Sequence, residues 1–311
     1  MRSLKRLCKL LALSLALLLL VSCTPAINGP AGDHGIAFTD STGQEVVLQS
    51  APTRVAVLFS SLAEIWILAG GEISVTVGET VERGIAEEGV ILADDGAGKT
   101  VNTEVLLAAA PDLVILSADI PAQVEAAATL RAAGVPAALF RVETFTEYLS
   151  VLRICADLCG TDAYRTYGTA QQAQIEALCA EKPFAGRRIL FIRAGTTARS
   201  VKAKGSADHF AAAMLRELGA ENIADNAPIL IDGLSMEVIL QEDPDYIFFI
   251  AMGDEEASEA YVTEMLQKEE WQALRAVQNG SFCYLPKELF HYKPCDRWAE
   301  AYTYLAALEK Q

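Results

Sequence analysis

The sequence predicts an α/β protein of two lobes, each built on a mainly parallel sheet, joined by a single long backbone helix. Three observations carry that expectation. Short apolar runs of the kind that fill buried parallel strands alternate with helical patterns of roughly 8–15 residues. A segment from Glu104, EVLLAAAPDLVIL, is echoed from Glu237 by EVILQEDPDYIFF, each spelling a short helix, a Pro-Asp turn and a buried strand. Pro-Asp turns before strands are common, so convergence is the competing explanation of the echo. Between the two halves runs a proline-free stretch, residues 144–182, with an apolar stripe through Leu149, Leu152, Ile154, Leu158, Tyr164, Tyr167, Ile175 and Leu178.

Taken in order, the chain starts with Arg2, Lys5, Arg6 and Lys9, followed by an apolar run over residues 10–21. That run has the length of a signal-peptide core and falls short of the roughly 20 residues a comfortable membrane span takes. It closes in Leu20-Val21-Ser22-Cys23, similar to a lipobox. Residues 1–22 are therefore expected to be a lipoprotein signal peptide and Cys23 the lipidated residue. An ordinary secretory signal with a chance cysteine, or an uncleaved anchor, is the alternative. Residues 23–35 are small and rich in Pro and Gly, as a flexible tether requires.

The first lobe is expected over residues 36–143, with strands at 54–59 (RVAVLF), 112–117 (DLVILS) and 135–140 (VPAALF). Helices are expected at 61–69, 103–109 and 121–133, the last stopped by Gly134. Residues 144–185 form the linking helix, with one internal break at Gly160-Thr161-Asp162 and an end at Pro183 and Gly186. The second lobe, residues 186–311, is expected to hold strands at 188–193 (RILFIR) and 246–251 (YIFFIA) and helices at 207–218 and 235–241.

Composition excludes several classes of function. The chain carries 41 acidic against 25 basic residues, a formal net charge of −16. That argues against nucleic acid and against lying flat on anionic lipid. Beyond Cys8 and Cys23 there are five cysteines, Cys155, Cys159, Cys179, Cys283 and Cys295, with no CxxC. Five cannot all pair; buried free thiols are expected, and a Cys283–Cys295 bridge stays open. Cys155 and Cys159 sit one helical turn apart, but a zinc site lacks further ligands, and three histidines, one of them in the tether, make a bare-metal receptor poor. No protein-bound metal and no resident cofactor are expected. Residues 95–100 (DGAGKT) look like the end of a phosphate-binding loop, but Ala93 stands where that pattern needs glycine. Residues 233–237 (GLSME) lack the closing glycine of a nucleophile elbow.

Several stretches together resemble the substrate-binding lipoproteins of ABC importers for ferric siderophores, heme and cobalamin. They are Phe38-Thr39-Asp40-Ser41-Thr42-Gly43, Pro52-Thr53-Arg54-Val55 before a strand, and Ser61-Leu62-Ala63-Glu64 opening a helix that ends Ala69-Gly70-Gly71. The resemblance continues through Pro111-Asp112-Leu113-Val114-Ile115, residues 218–225 (LGAENIAD), Ser235-Met236-Glu237, Asp243-Pro244-Asp245 and Trp271 to Gly280. It implies two lobes on one long helix, ligand held between them, and limited closure. It also implies an ABC permease dimer with its ATPase as partner, a small-molecule metal chelate as cargo, an extracytoplasmic location and no chemistry on the ligand. By position, the acids that dock into arginine pockets of such a permease are Glu64 and Glu237, with Glu104 the rival in the first lobe. Both have structural alternatives: Ser61 to Glu64 also reads as a capping box, and Glu237 lies in a first helical turn, where the macrodipole favours an acid.

Ligands of open α/β sheets gather beyond the carboxyl ends of the strands. That rule selects Phe59 and Ser60, Ser117, Arg193 and Met252. Arg193 ends a strand buried on both faces, so its charge needs an anion, either from a ligand or from a protein acid. Lys202 and Lys204 follow and add positive charge, unless they are plain solvated loop lysines. His291 and Tyr292, between the last strand and the final helix, are candidate ligand contacts, whereas His209 reads as a packing residue. A ferric siderophore is the leading cargo; heme, cobalamin, or a chelatase-like enzyme on the same scaffold are the alternatives.

Overall fold

The computed structural model describes residues 35–94 and 100–309. The expected signal peptide and Cys23 lie outside the described residues, as does most of the glycine-rich 95–100 segment. Twelve strands are present among the described residues: β1 Ile36–Thr39, β2 Glu45–Leu48, β3 Val55–Val57, β4 Val75–Thr76, β5 Ile91–Leu92, β6 Leu113–Ser117, β7 Ala137–Phe140, β8 Arg188–Ala194, β9 Lys202–Ala203, β10 Glu221–Asn222, β11 Tyr246–Ala251 and β12 Phe282–Tyr284.

They form two five-stranded sheets and a hairpin. The first sheet runs β5-β4-β3-β6-β7, all parallel. The second runs β10-β8-β11-β12, also parallel, with β9 antiparallel on β8. The strands predicted from apolar runs are the central ones. β3, β6 and β7 are buried along their whole length, and β11 is buried but for its first residue, because helices cover both faces. β7 starts at Ala137 rather than 135, since Pro136 has no N–H to give to a ladder. The short edge strands carry no pattern long enough to read.

The echoed segments are a structural repeat. Helix Thr103–Ala109 ends at Ala110 (φ 47°) and helix Met236–Glu242 at Asp243 (φ 39°), both left-handed caps before Pro-Asp. Asp112 then accepts the N–H of Arg54 at 3.0 Å, and Asp245 that of Arg188 at 2.9 Å, each carboxylate anchoring the start of the neighbouring central strand.

A long helix joins the halves as expected, but it takes only residues 164–181 of the linking stretch; the front of that stretch is a separate helix. Helix Phe145–Cys159 opens on a capping box of Thr144 and Glu147 and stops at Gly160 (φ 66°). A π-helical segment, Tyr164–Thr169, then runs without a break into helix Ala170–Glu181. This second helix folds back on the first. The Tyr148 hydroxyl donates to the Tyr167 carbonyl at 3.2 Å, and a Cβ on Gly168 would stand 2.8 Å from Leu149. The connection is thus a helical hairpin of which only the second arm enters the second sheet. The reversal occurs because Gly160 takes a conformation that a helix cannot continue through.

One hydrophobic core crosses from half to half. Trp298, at the start of helix Trp298–Leu308, lies 6.0 Å from Phe145, 5.9 Å from Tyr148 and 6.1 Å from Phe210 by ring centroids. Two smaller clusters fill the outer faces of the sheets, around Leu116 in the first and Phe249 in the second.

Candidate functional site

In each sheet the strand order reverses beside the first strand in sequence, between β3 and β6 and between β8 and β11. Such switch points open a crevice at the carboxyl ends of the strands. The residues after β3 and β6 are Phe59, Ser60 and Asp119; those after β8 and β11 are Gly195 and Met252. Gln123 ties the first pair of strand ends together, accepting the Ser117 N–H at 2.7 Å and donating to the Leu58 carbonyl at 2.6 Å.

Not every expected residue keeps its polar group for a ligand. The Ser60 hydroxyl donates to Glu79 Oε2, and the Ser117 hydroxyl accepts the Asp119 N–H at 3.2 Å. The expected Ser61–Glu64 capping box is absent. Helix Ser60–Leu68 begins one residue earlier than predicted, its N-cap Phe59 makes no side-chain bond, and Ser61 Oγ accepts the N–H of Lys293 at 3.4 Å instead. Phe59 stays half-buried on the wall of the crevice.

The second lobe supplies charge. Arg193 is half-buried and makes no ion pair among the described residues; burial alone pulls its pKa below the ordinary arginine value. Its antiparallel partner in the ladder is Lys202 on β9, so both side chains leave the same face. Lys202 is exposed, and neither it nor Lys204 pairs with an acid among the described residues. The His209 ring lies tilted 4.9 Å from that of Phe191 and caps helix Phe210–Glu217, its Nδ1 accepting the Ala211 N–H at 3.2 Å. It is therefore a cap rather than a residue within the helix. Burial first, then Lys293, Arg193, Lys204 and His291, hold its pKa well below the ordinary value, so the ring is neutral. His291 Nδ1 lies 3.2 Å from the Ala251 carbonyl, and burial lowers its pKa too. Met252 is half-buried at the end of β11.

The two halves meet directly over the crevice. Lys293 Nζ stands 2.5 Å from Glu143 Oε1, and Arg141 donates to the Ala207 carbonyl at 3.3 Å. Arg83 lies 3.9 Å over the ring of Tyr292 and 2.6 Å from Glu64. Glu64 is thus a partly buried acid in an ion pair, while Glu104 and Glu237 are exposed in the first turns of their helices and make no ion pair among the described residues. Each of those two helices runs back along its sheet, so its N-terminus lies on the crevice side.

Glu143, Lys293, Glu79 and Arg83 were not singled out from sequence. Each is an ordinary charge by local pattern, and only a partner distant in sequence distinguishes it: Lys293 for Glu143, Ser60 for Glu79, and Glu64 and Tyr292 for Arg83. All five described cysteines are unpaired, which removes the Cys283–Cys295 bridge. No group of three or more His, Cys, Asp or Glu among the described residues is placed to hold a metal ion, and no described helix is long and apolar enough to cross a membrane. A larger cavity, about 710 Å³, lies elsewhere, against the C-terminal end of helix Ser60–Leu68. It is lined by Glu72, Glu87 and Glu88 without a single cation, and Ser74 in its wall precedes β4, so it faces away from the strand carboxyl ends.

The family model described as periplasmic binding protein matches residues 55–289. A search of curated protein sequences returns no match. Among solved structures, the periplasmic vitamin B12 binding protein BtuF of Vibrio cholerae shares 18% identity and a TM-score of 0.68, covering 84% of this chain and 97% of its own. The periplasmic catecholate-siderophore binding protein VctP, also of Vibrio cholerae, shares 14% at a TM-score of 0.67, over 89% and 99%. The periplasmic heme-binding protein RhuT of Roseiflexus sp. RS-1 shares 19% at 0.63, over 82% and 97%.

Proposed function

The chain belongs to the periplasmic binding protein family, and from that premise we propose that it captures a ferric siderophore outside the cytoplasm and delivers it to an ABC permease. The observation that carries the choice is Arg193 beside Lys202, two cations without an acid partner among the described residues, in a chain of net charge −16. Half-buried positive charge at a crevice calls for an anion, and the anionic oxygens of a ferric siderophore supply one. Structures of this fold include receptors described as binding siderophore, vitamin B12 and heme, so the scaffold suits each. Vitamin B12 makes least use of paired cations.

Cys23 in its lipobox-like context tethers the receptor beside its permease, with residues 24–35 as the spacer. Docking falls to one exposed acid on each half. Glu237 serves the second, and Glu104, its counterpart in the structural repeat, serves the first in preference to Glu64, whose carboxylate is engaged by Arg83. One acid per half meeting two equivalent basic pockets sets register on a symmetric partner.

The test is quenching of tryptophan fluorescence in the purified chain against a panel of ferric siderophores, hemin and cobalamin. Binding of a ferric siderophore tighter than about 10 μM supports the assignment. Binding of hemin or cobalamin alone reassigns the cargo, and binding of none overturns the receptor reading.

A further inference from the structure

Lys293 stands where the two halves meet. Its ammonium is 2.5 Å from Glu143 Oε1 and 4.8 Å from the centroid of the Phe210 ring, and its backbone N–H reaches Ser61 Oγ at 3.4 Å. Glu143 lies between β7 and helix Phe145–Cys159; Lys293 lies between helix Lys287–Phe290 and the turn Cys295–Arg297. Both side chains are largely withdrawn from water, at 17% and 13% exposure. Glu143 Oε2 is buried and has no hydrogen-bond partner among the described residues. A buried pair stabilises only when its remaining lone pairs are satisfied as well. Here one oxygen is bonded and the other is not, so the pair is open to exchange with a better-fitting anion.

Lys293 also belongs to the cationic group of the crevice, since it acts with Arg193 and Lys204 on the His209 ring. Among the described residues Glu143 is the only acid paired with any of these three cations. The cavity beside the pair, walled by Phe59, Ser61, Ser117 and Asp119, encloses about 80 Å³. That is room for a few waters at ~30 Å³ each, whereas ligand pockets span about 300–1,000 Å³. A chelate enters only when the pair parts.

We propose that Glu143 occupies the place of the ligand's anion. In the empty protein it holds Lys293 and draws the halves together; an incoming anionic chelate takes over the Lys293 ammonium, and the crevice opens as Glu143 is released. Lys293 is then a specificity-determining residue: any chelate must part the pair to enter, but only an anionic one gains the freed ammonium. The inference rests on the crevice being a chelate site, but the latch itself does not.

Two measurements on the full chain in detergent separate these parts. Hydrogen exchange of the ligand-free protein reads the latch. Glu143→Gln and Lys293→Gln should each speed exchange at the Lys293 amide by about tenfold, since its bond to Ser61 lasts only while the halves stay together. Titration with ferric citrate and with a neutral ferric trihydroxamate reads the handover. Glu143→Gln should tighten both chelates by about tenfold, because it removes the pair that either must part to enter. Lys293→Gln should tighten the neutral chelate likewise but leave ferric citrate no tighter, because the ammonium that receives the anion is lost with the pair. If it fails to fold, Lys293→Met takes its place. Unchanged exchange in the variants overturns the latch. An equal gain for both chelates in the Lys293 variant overturns the handover. Failure of every protein to bind either chelate overturns the handover together with the receptor reading, while the exchange data still decide the latch.

Discussion

Arg193 and Lys202 are direct cross-strand neighbours in the antiparallel pair of β8 and β9, with their side chains on one face of the sheet. Like charges placed opposite each other in a ladder destabilise it. No acid among the described residues relieves this pair, although the chain carries 41 acidic residues. The arrangement is therefore unfavourable in the empty protein and favourable once an anion arrives.

It follows that Arg193→Gln and Lys202→Gln should each weaken binding of an anionic ferric chelate by about tenfold, roughly 1.4 kcal/mol. Neither should lower the unfolding temperature, because each removes a repulsion. Fluorescence titration and a thermal melt on the same preparations check this. A lowered melting point with affinity intact would mark the residues as structural.

Stability should fall as the medium turns acid. His209 is held neutral by burial and by Lys293, Arg193, Lys204 and His291, well below its ordinary value of 6.5. The unfolded chain therefore binds more protons there in the interval between the two values. The contribution is complete above about pH 6.5 and is lost as pH falls below it toward the folded value. His291 acts in the same direction. Melting temperatures from pH 8 to 5 should show the drop, and His209→Asn should flatten it.

Charge reversal of Glu104 and Glu237 to arginine should abolish chelate uptake by cells while leaving binding by the purified protein unchanged. Glu64→Gln should behave differently, costing about 1 kcal/mol through the partly buried Arg83 it leaves unpaired. Uptake assays set beside thermal melts distinguish the two. Loss of uptake at Glu64 with unchanged stability would return the docking role to that residue.

Gly168→Ala should destabilise the protein by about 1–3 kcal/mol. A Cβ there would stand 2.8 Å from Leu149 and 3.3 Å from Leu152, where the two arms of the linking hairpin press together. A denaturant titration measures it. An unchanged midpoint would mean that the arms separate without cost.

The central strands were legible because burial on both faces leaves an uninterrupted apolar run, as in LVILS and YIFFIA. Arg193 was legible for the same reason, being a charge at the end of such a run. The capping reading of Ser61 and Glu64 failed because their partners, Lys293 and Arg83, come from other parts of the chain. The linking stretch was read as one helix because its apolar stripe continues through Gly160. The sequence marks the interruption there, but not the angle at which the chain leaves it.

By itself, then, the sequence determined which segments are the central strands, that the chain repeats a helix-turn-strand unit, and that positive charge ends one central strand. These follow from interactions within a few residues or from burial, which local pattern records. The tertiary structure alone decided that the linker is a hairpin, that Glu64 is engaged while Glu104 and Glu237 stand free, and that Glu143 meets Lys293 across 150 residues of chain. Each depends on a long-range pairing whose energy is realised only when the two halves are brought together, and nothing local to either partner encodes it.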